Sequence, residues 1–347
     1  MAGDNGATLA DVAQRAGVSP STVSRTMRGL STVSPETRAR VEKAARELSF
    51  SISRSASSLV TGRTGRVAVL VPNLESWFLG AALAGMAPAL AEAGMDMLVY
   101  SVTTPEERAH FFDHLPARRN ADALLVVSFA LSPGERARLD DLGIPLIFVS
   151  QHEEHRASVY VDDAEAALRG TRHLINLGHR RIAYLEPADP SGFAWSSRAR
   201  LDGYRTALAE AGIEHDEELV RQVAQWQGPV LDAAVGRLLS MAAPPTAIFA
   251  ETDDIAFRLL TVLRGANVRV PDRVSVLGFD DHAMAAAWDL STMAQPVRRL
   301  GREAAELAHA VIGDPEANLE RHVVLPVELV PRGSTGPAPR SPVAGGA

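Results

Sequence analysis

The chain has 347 residues, enough for two or three domains, and its 46% apolar and 22% charged content is that of a globular protein rather than a disordered one. Cysteine is absent, which excludes a disulfide framework, a thiol nucleophile and thiolate metal sites. No apolar run reaches about 18 residues, so no membrane span is expected. The polar start MAGDNGATLADVAQRAG lacks an apolar signal core, and the expected location is the cytoplasm.

The net charge of −7 hides an asymmetry. Residues 1–66 hold ten Lys/Arg against five acids, and the remaining 281 residues hold 25 against 37. A basic end on an acidic body points to a polyanion partner for that end alone, although a solvated basic face gives the same balance. The one lysine, Lys43, follows Glu42 rather than Gly, which excludes a Walker P-loop.

In chain order, residues 1–7 are expected to form a disordered tail and residues 8–49 three short helices. Thr8 can cap the first, which carries Leu9, Val12, Ala13 and Ala16 at helical spacing and ends at Gly17. Ser19 and Pro20 open the second, with Val23 and Met27 facing inward. Ser34 and Pro35 open the third, to about Leu48. A turn of about four residues between the first two helices gives helix-turn-helix spacing. Residues 50–65 are Ser-, Arg- and Gly-rich, a linker composition with Ala56 and Leu59 as its apolar points.

From Arg66 the pattern changes. Apolar runs at 67–71, 95–102, 123–127, 144–149, 159–161, 182–185, 247–250 and 274–279 alternate with amphipathic stretches at 78–92, 105–115, 164–177, 196–211, 230–241 and 253–264. Unbroken apolar strands between helices imply parallel sheets covered on both faces, and the length implies two α/β lobes. Val323–Val330 reads as one late strand. The tail 333–347 (GSTGPAPRSPVAGGA) is expected to be disordered.

The stretch TLADVAQRAGVSPSTVSRTMRGLSTVSPETRARVEKAARELSF (8–50) resembles the DNA-binding headpiece of the lactose-repressor/galactose-repressor (LacI/GalR) family of bacterial transcription regulators. TGRTGRVAVLVPN, INLGHRRIAYLE, SRARLDGYRTAL, VRVPDRVSVLGFDD and QPVRRLGREAAEL extend the likeness to about residue 332, in family order. The resemblance implies a lambda-repressor-like three-helix headpiece (8–49), a hinge (50–65) that orders on operator DNA, and a two-lobed periplasmic-binding-protein-like core (66–332). The lobes would be discontinuous, about 66–160 with 294–322 and about 161–293 with 323–332. It further implies a homodimer on double-stranded operator DNA, a sugar-like small-molecule effector between the lobes, and no cofactor or metal. The Gly- and Pro-containing tail lacks the heptad helix that relatives use to form tetramers.

The same resemblance assigns DNA contacts. Arg25 is the expected base reader, since Arg can bond guanine O6 and N7 together; a phosphate contact or a solvated Arg is the alternative. Pro20 and Ser21 occupy the other base-reading positions, Pro20 offering only apolar contact. Thr8, Ser19, Thr22, Ser24 and Thr32 are expected at phosphates, which set register rather than sequence; capping alone also explains Thr8 and Ser19. Arg28 adds a phosphate contact where many relatives carry Asn. Ala56 and Leu59 match the hinge, Leu59 as a minor-groove wedge or as a linker residue packed on the core. Ile52, Ser53 and Ser57 depart from the family's Pro, Asn and Arg.

For the effector, Asp280 is expected to accept from hydroxyls, Arg200 to clamp and Trp226 to offer an aromatic platform, with Phe78, Ser150 and Thr252 lining the pocket. Alternatives stand beside each: Asp280 and Asp281 suit a helix cap, Arg200 can pair with Asp202 or Glu210, and Phe78 and Trp226 suit a core. Ser76-Trp77-Phe78 replaces the family's Asn-Pro-Phe, so that Trp77 narrows the cleft, and Thr252-Asp253 replaces Asn-Asp. A free solute-binding protein and an α/β enzyme are the rival classes. No G-x-S-x-G or G-x-G-x-x-G motif supports the latter, and His152-Glu153-Glu154-His155 is not the zinc-binding H-E-x-x-H pattern.

Overall fold

Thr8 opens helix α1 (Leu9–Ala16) with a capping box. Its hydroxyl accepts from the Asp11 amide, and the Asp11 carboxylate accepts from the Thr8 amide at 2.7 Å. Gly17 closes the helix at φ 66°, where a side chain would be strained. Helix α2 (Pro20–Met27) follows, then α3 (Pro35–Glu47), capped by the Ser34 hydroxyl on the Thr37 amide. Val12, Ala13, Ala16, Val23, Val41, Ala44 and Ala45 form their common core, with Met27 partly buried against it. The computed structural model describes residues 7–27, 32–50, 62–188, 195–223 and 228–340. The chain divides into two units, 1–65 and 66–347.

The second unit begins with β1 (Arg66–Val71), α4 (Trp77–Glu92), β2 (Asp96–Ser101), α5 (Pro105–His114), β3 (Ala123–Val127), α6 (Pro133–Asp140), β4 (Leu146–Val149) and β5 (Ala157–Val161). It continues through α7 (Asp163–Asn176), β6 (Ile182–Pro187), α8 (Trp195–Glu210), β7 (Val220–Val223), α9 (Gly228–Leu239), β8 (Ala247–Ala250), α10 (Asp253–Gly265), β9 (Ser275–Phe279) and β10 (Ser291–Ala294). Helices α11 (Val297–Gly313) and α12 (Pro315–Asn318) precede the closing strands β11 (His322–Leu325) and β12 (Glu328–Val330).

Two six-stranded sheets result. The first lobe has the order β11-β5-β4-β3-β1-β2, all parallel. The second has β12-β10-β9-β8-β6-β7, parallel except for the β12–β10 pair. Strands β1, β3, β4, β8 and β9 are buried almost throughout, as parallel strands under helices on both faces must be. Helices α4 and α11 cross with their backbones in contact. A Cβ on Gly85 would lie 2.0 Å from the Arg298 carbonyl oxygen, and one on Gly301 would lie 2.1 Å from that of Ala82.

Three expectations need correction. Val323–Val330 is two strands rather than one, because Pro326 has no N–H to continue a ladder: β11 pairs with β5 in the first lobe and β12 with β10 in the second. The last crossing between lobes therefore falls near Pro326, not at His322. Residues 333–338 are packed rather than disordered, and 341–347 lie outside the described residues. Ser334 is buried, donates to the Val276 carbonyl at 2.6 Å and accepts from the Ser291 amide, while the Gly336 amide donates to the Ser275 hydroxyl at 3.0 Å. His173 and His179 reach Thr335 and the Gly336 carbonyl. Polar composition suggested a free tail, but these backbone groups find partners on the second lobe.

Candidate functional site

In the headpiece, α2 turns Val23 and Thr26 into the core and leaves Pro20, Ser21 and Arg25 exposed on the opposite side. Ser21 and Arg25 are four residues apart, hence on one face. The Ser19 hydroxyl accepts from the Thr22 amide and lies 2.8 Å from the Ser21 hydroxyl and 2.9 Å from that of Thr22. Capping and an outward row of hydroxyls therefore coexist at this helix start. Thr8 and Thr32 are exposed, and Thr22 and Ser24 are partly so. The expected contacts Arg28, Ala56 and Leu59 lie outside the described residues, as does Trp226.

In the core, five of the six expected effector residues line one cavity of about 120 Å³: Phe78, Ser150, Arg200, Thr252 and Asp280. Ser76, Ser128, Ser197, Glu251, Asp254 and Gln295 also line it. Most of these follow the carboxyl ends of parallel strands, where the chain leaves its sheet and turns toward the neighbouring lobe. Ser128, Ser150 and Asp280 sit there at φ 51°, 60° and 123°. Three non-glycine residues in strained backbone around one cavity mark a site whose geometry is imposed by the surrounding fold.

Arg200 does not pair with Asp202 or Glu210. It is buried, donates from Nε to Asp163 Oδ1 and from Nη1 to the Glu251 carbonyl, both at 2.8 Å, and stacks 3.7 Å from the Phe279 ring centroid. Burial opposes its charge, but the carboxylates of Asp163, Asp280 and Glu251 more than offset that and hold it cationic. Asp280 caps no helix, since turns follow it; it accepts from Gln295 Nε2. Burial pushes its carboxyl well above the usual range, against the pull of Arg200, and nearby Asp253 pushes it further. Asp281 pairs with Arg332 at 2.7 Å. Thr252 both caps α10 and lines the cavity, and Phe78 lines it while packing on the core. Trp77 of the first lobe meets His282 of the second, with ring centroids 4.7 Å apart, beside Ser76 and Phe78.

The sequence reading missed Glu251, Gln295 and Ser128. Glu251 adjoins an assigned residue and closes an apolar strand, a signal that could have found it. Gln295 directly follows β10, a short strand (STMA) that apolar-run counting passes over. The Glu153 carboxylate pairs with Arg136, and its carbonyl lies 3.1 Å from His322 Nε2. Among the described residues no helix is long and apolar enough to cross a membrane, and no cluster of three or more metal-ligating side chains occurs.

A helix-turn-helix headpiece in one chain with two α/β lobes around a polar cavity defines a ligand-responsive DNA-binding protein. Residues 8–53 match the family described as "Bacterial regulatory proteins, lacI family", and residues 171–335 match a periplasmic binding protein-like domain. The chain is 31% identical to the HTH-type transcriptional regulator DegA of Bacillus subtilis, over 95% of its own length and 98% of that protein. Among solved structures, a complex of the transcriptional regulator CelR with cellobiose is similar at TM-score 0.69 and 32% identity, covering 94% of this chain and 99% of that one. A lac repressor dimer bound to operator and the anti-inducer ONPF is similar at TM-score 0.82 and 25% identity, covering 95% and 99%. The chain belongs to the LacI family, and it is a DNA-binding transcription regulator.

Proposed function

We propose that the protein is a homodimeric repressor of carbohydrate uptake or catabolism genes, controlled by a sugar-like effector in the cavity between its lobes. The observation that carries this reading is the convergence of Phe78, Ser150, Arg200, Thr252 and Asp280, spread over some 200 residues of chain, on one polar cavity. Hydroxyl, carboxylate, amide and aromatic groups together suit a polyol: directional hydrogen bonds at the rim of the ring and a flat apolar face beneath it. The similar CelR structure holds cellobiose, and the similar lac repressor structure is a dimer on its operator.

In this reading the effector favours one arrangement of the lobes and operator DNA another, so each weakens the other by the same factor. Arg25 reads a base from the exposed face of α2, and Ser19, Thr22 and Ser24 hold phosphates.

A gel shift on the DNA upstream of the coding sequence tests this. Specific, salt-sensitive binding is expected. Arg25→Ala should relax discrimination at one base position, by about 1–3 kcal/mol. Asp280→Asn should keep DNA binding and lose release by effector. Unchanged base discrimination in the first variant, or intact release in the second, defeats the corresponding assignment.

A further inference from the structure

The described cavity wall carries more acid than base. Its cation is Arg200, against Glu251, Asp254 and Asp280. Arg200 already spends Nε on Asp163 and Nη1 on the Glu251 carbonyl, and its flat face lies on Phe279. An anion entering the cavity would find the positive charge already matched by Asp163.

Hydrogen-bond acceptors, by contrast, are in surplus. Gln295 is 5% exposed, gives its amide N–H to Asp280, and leaves Oε1 buried with no partner. Glu251 is 2% exposed. Its carboxylate accepts from the Ser197 hydroxyl and, at 3.3 Å, from the Tyr184 hydroxyl, both neutral donors. A buried carboxylate with only neutral donors on its oxygens gains most from a cationic one. The cavity, about 120 Å³, is small beside the roughly 300–1,000 Å³ of drug-sized sites, which favours an occupant of monosaccharide size.

We propose that Glu251 sets the charge preference of the cleft: the effector is a polyhydroxylated compound carrying a protonated amine opposite Glu251, and anionic counterparts are rejected. This rests on the sugar-responsive reading above and deepens it. Ammonium N–H groups supply the charge-assisted donors that Ser197 and Tyr184 do not, while hydroxyl donors meet Gln295 Oε1. A phosphate or carboxylate in the same place would face Glu251 and pay desolvation while Arg200 is already engaged by Asp163.

The test uses the full-length protein and isothermal titration just above pH 7, where Glu251 is ionised, with three forms each of glucose, galactose and mannose: the neutral sugar, the 2-amino sugar and the 6-phosphate. At least one amino sugar is expected to bind about tenfold more tightly than its neutral twin, as one added charge-assisted hydrogen bond gives, and no phosphate to bind. Glu251→Gln should erase that ratio, and Glu251→Asp, which keeps the charge, should retain it. Equal binding of neutral and amino forms, tighter binding of a phosphate, or a preference that survives Glu251→Gln overturns the assignment and leaves the sugar reading standing. If none of the nine compounds binds, the monosaccharide-sized sugar reading falls with it.

Discussion

The two walls of the cavity between the lobes are built alike and furnished differently. In both, most of the residues lie just past the ends of parallel strands, with Phe78 and Arg200 added from helices. The first lobe contributes Ser76, Phe78, Ser128 and Ser150: small hydroxyls and one ring, without charge. The second contributes Arg200, Glu251, Thr252, Asp254 and Asp280, and with them the ionisable groups of the wall. Gln295 stands at the crossing between the lobes and donates to Asp280 of the charged wall. Buried charges need fixed partners, and Arg200 and Asp280 have them, so the second wall offers a fixed pattern; neutral hydroxyls can turn as donor or acceptor, so the first wall accommodates either.

Breaking the charged wall should have the largest consequence. Arg200→Ala removes the cation between Asp163, Asp280 and Glu251 and leaves buried carboxylates without it. Stability should fall by about 3–5 kcal/mol, seen as a lowered urea midpoint. A smaller loss, of about 1–3 kcal/mol, is expected for Gly85→Ala, because its Cβ would strike the Arg298 backbone where α4 and α11 touch. That variant probes the packing of the first lobe without touching either wall.

A third contrast is pH. Burial pushes Glu251 up to about 7, against the opposing pull of Arg200 and Ser197, with Glu186 and Tyr184 also facing it. Asp253, held by Thr292 and the His282 amide, is likewise pushed up to about 7 by burial. Between about 4.5 and 7 the unfolded chain ionises these carboxyls while the folded chain keeps them protonated. Folding therefore loses stability as pH rises through that window, and the loss levels off above it. Glu251→Gln should shallow that decline in a pH series of melting curves. Ser150→Ala on the hydroxyl wall should leave the pH profile unchanged, and its stability effect should be within about 1 kcal/mol.

Much of the headpiece was legible because its instructions are local. Thr8 with Asp11, Gly17, Ser19-Pro20 and Ser34-Pro35 each act within one helical turn, and the structure places the helix ends within a residue or so of where those caps put them. Much of the alternation of strands and helices from residue 66 was legible for the same reason, although α6, β7 and α11 were not among the stretches read. The β10 strand, the break at Pro326 and the packed residues 333–338 were not, since each takes its partners from segments far along the chain.

The cavity shows both limits at once. Its position at strand ends follows from parallel α/β topology, and five of the residues that line it are ones the resemblance names. Which groups are spoken for did not follow. Arg200 and Asp280 read as a pair aimed at a ligand; in the fold Arg200 answers to Asp163, 37 positions away, and Asp280 to Gln295.

Caps, periodicity and charge are properties of neighbours along the chain, so residue order alone fixed the headpiece helix ends, the α/β character of the rest and the kind of partner suited to each half. Which buried charges are already matched and which acceptors are left open was set by folding alone, because that balance depends on side chains that meet only after the chain has crossed between its lobes.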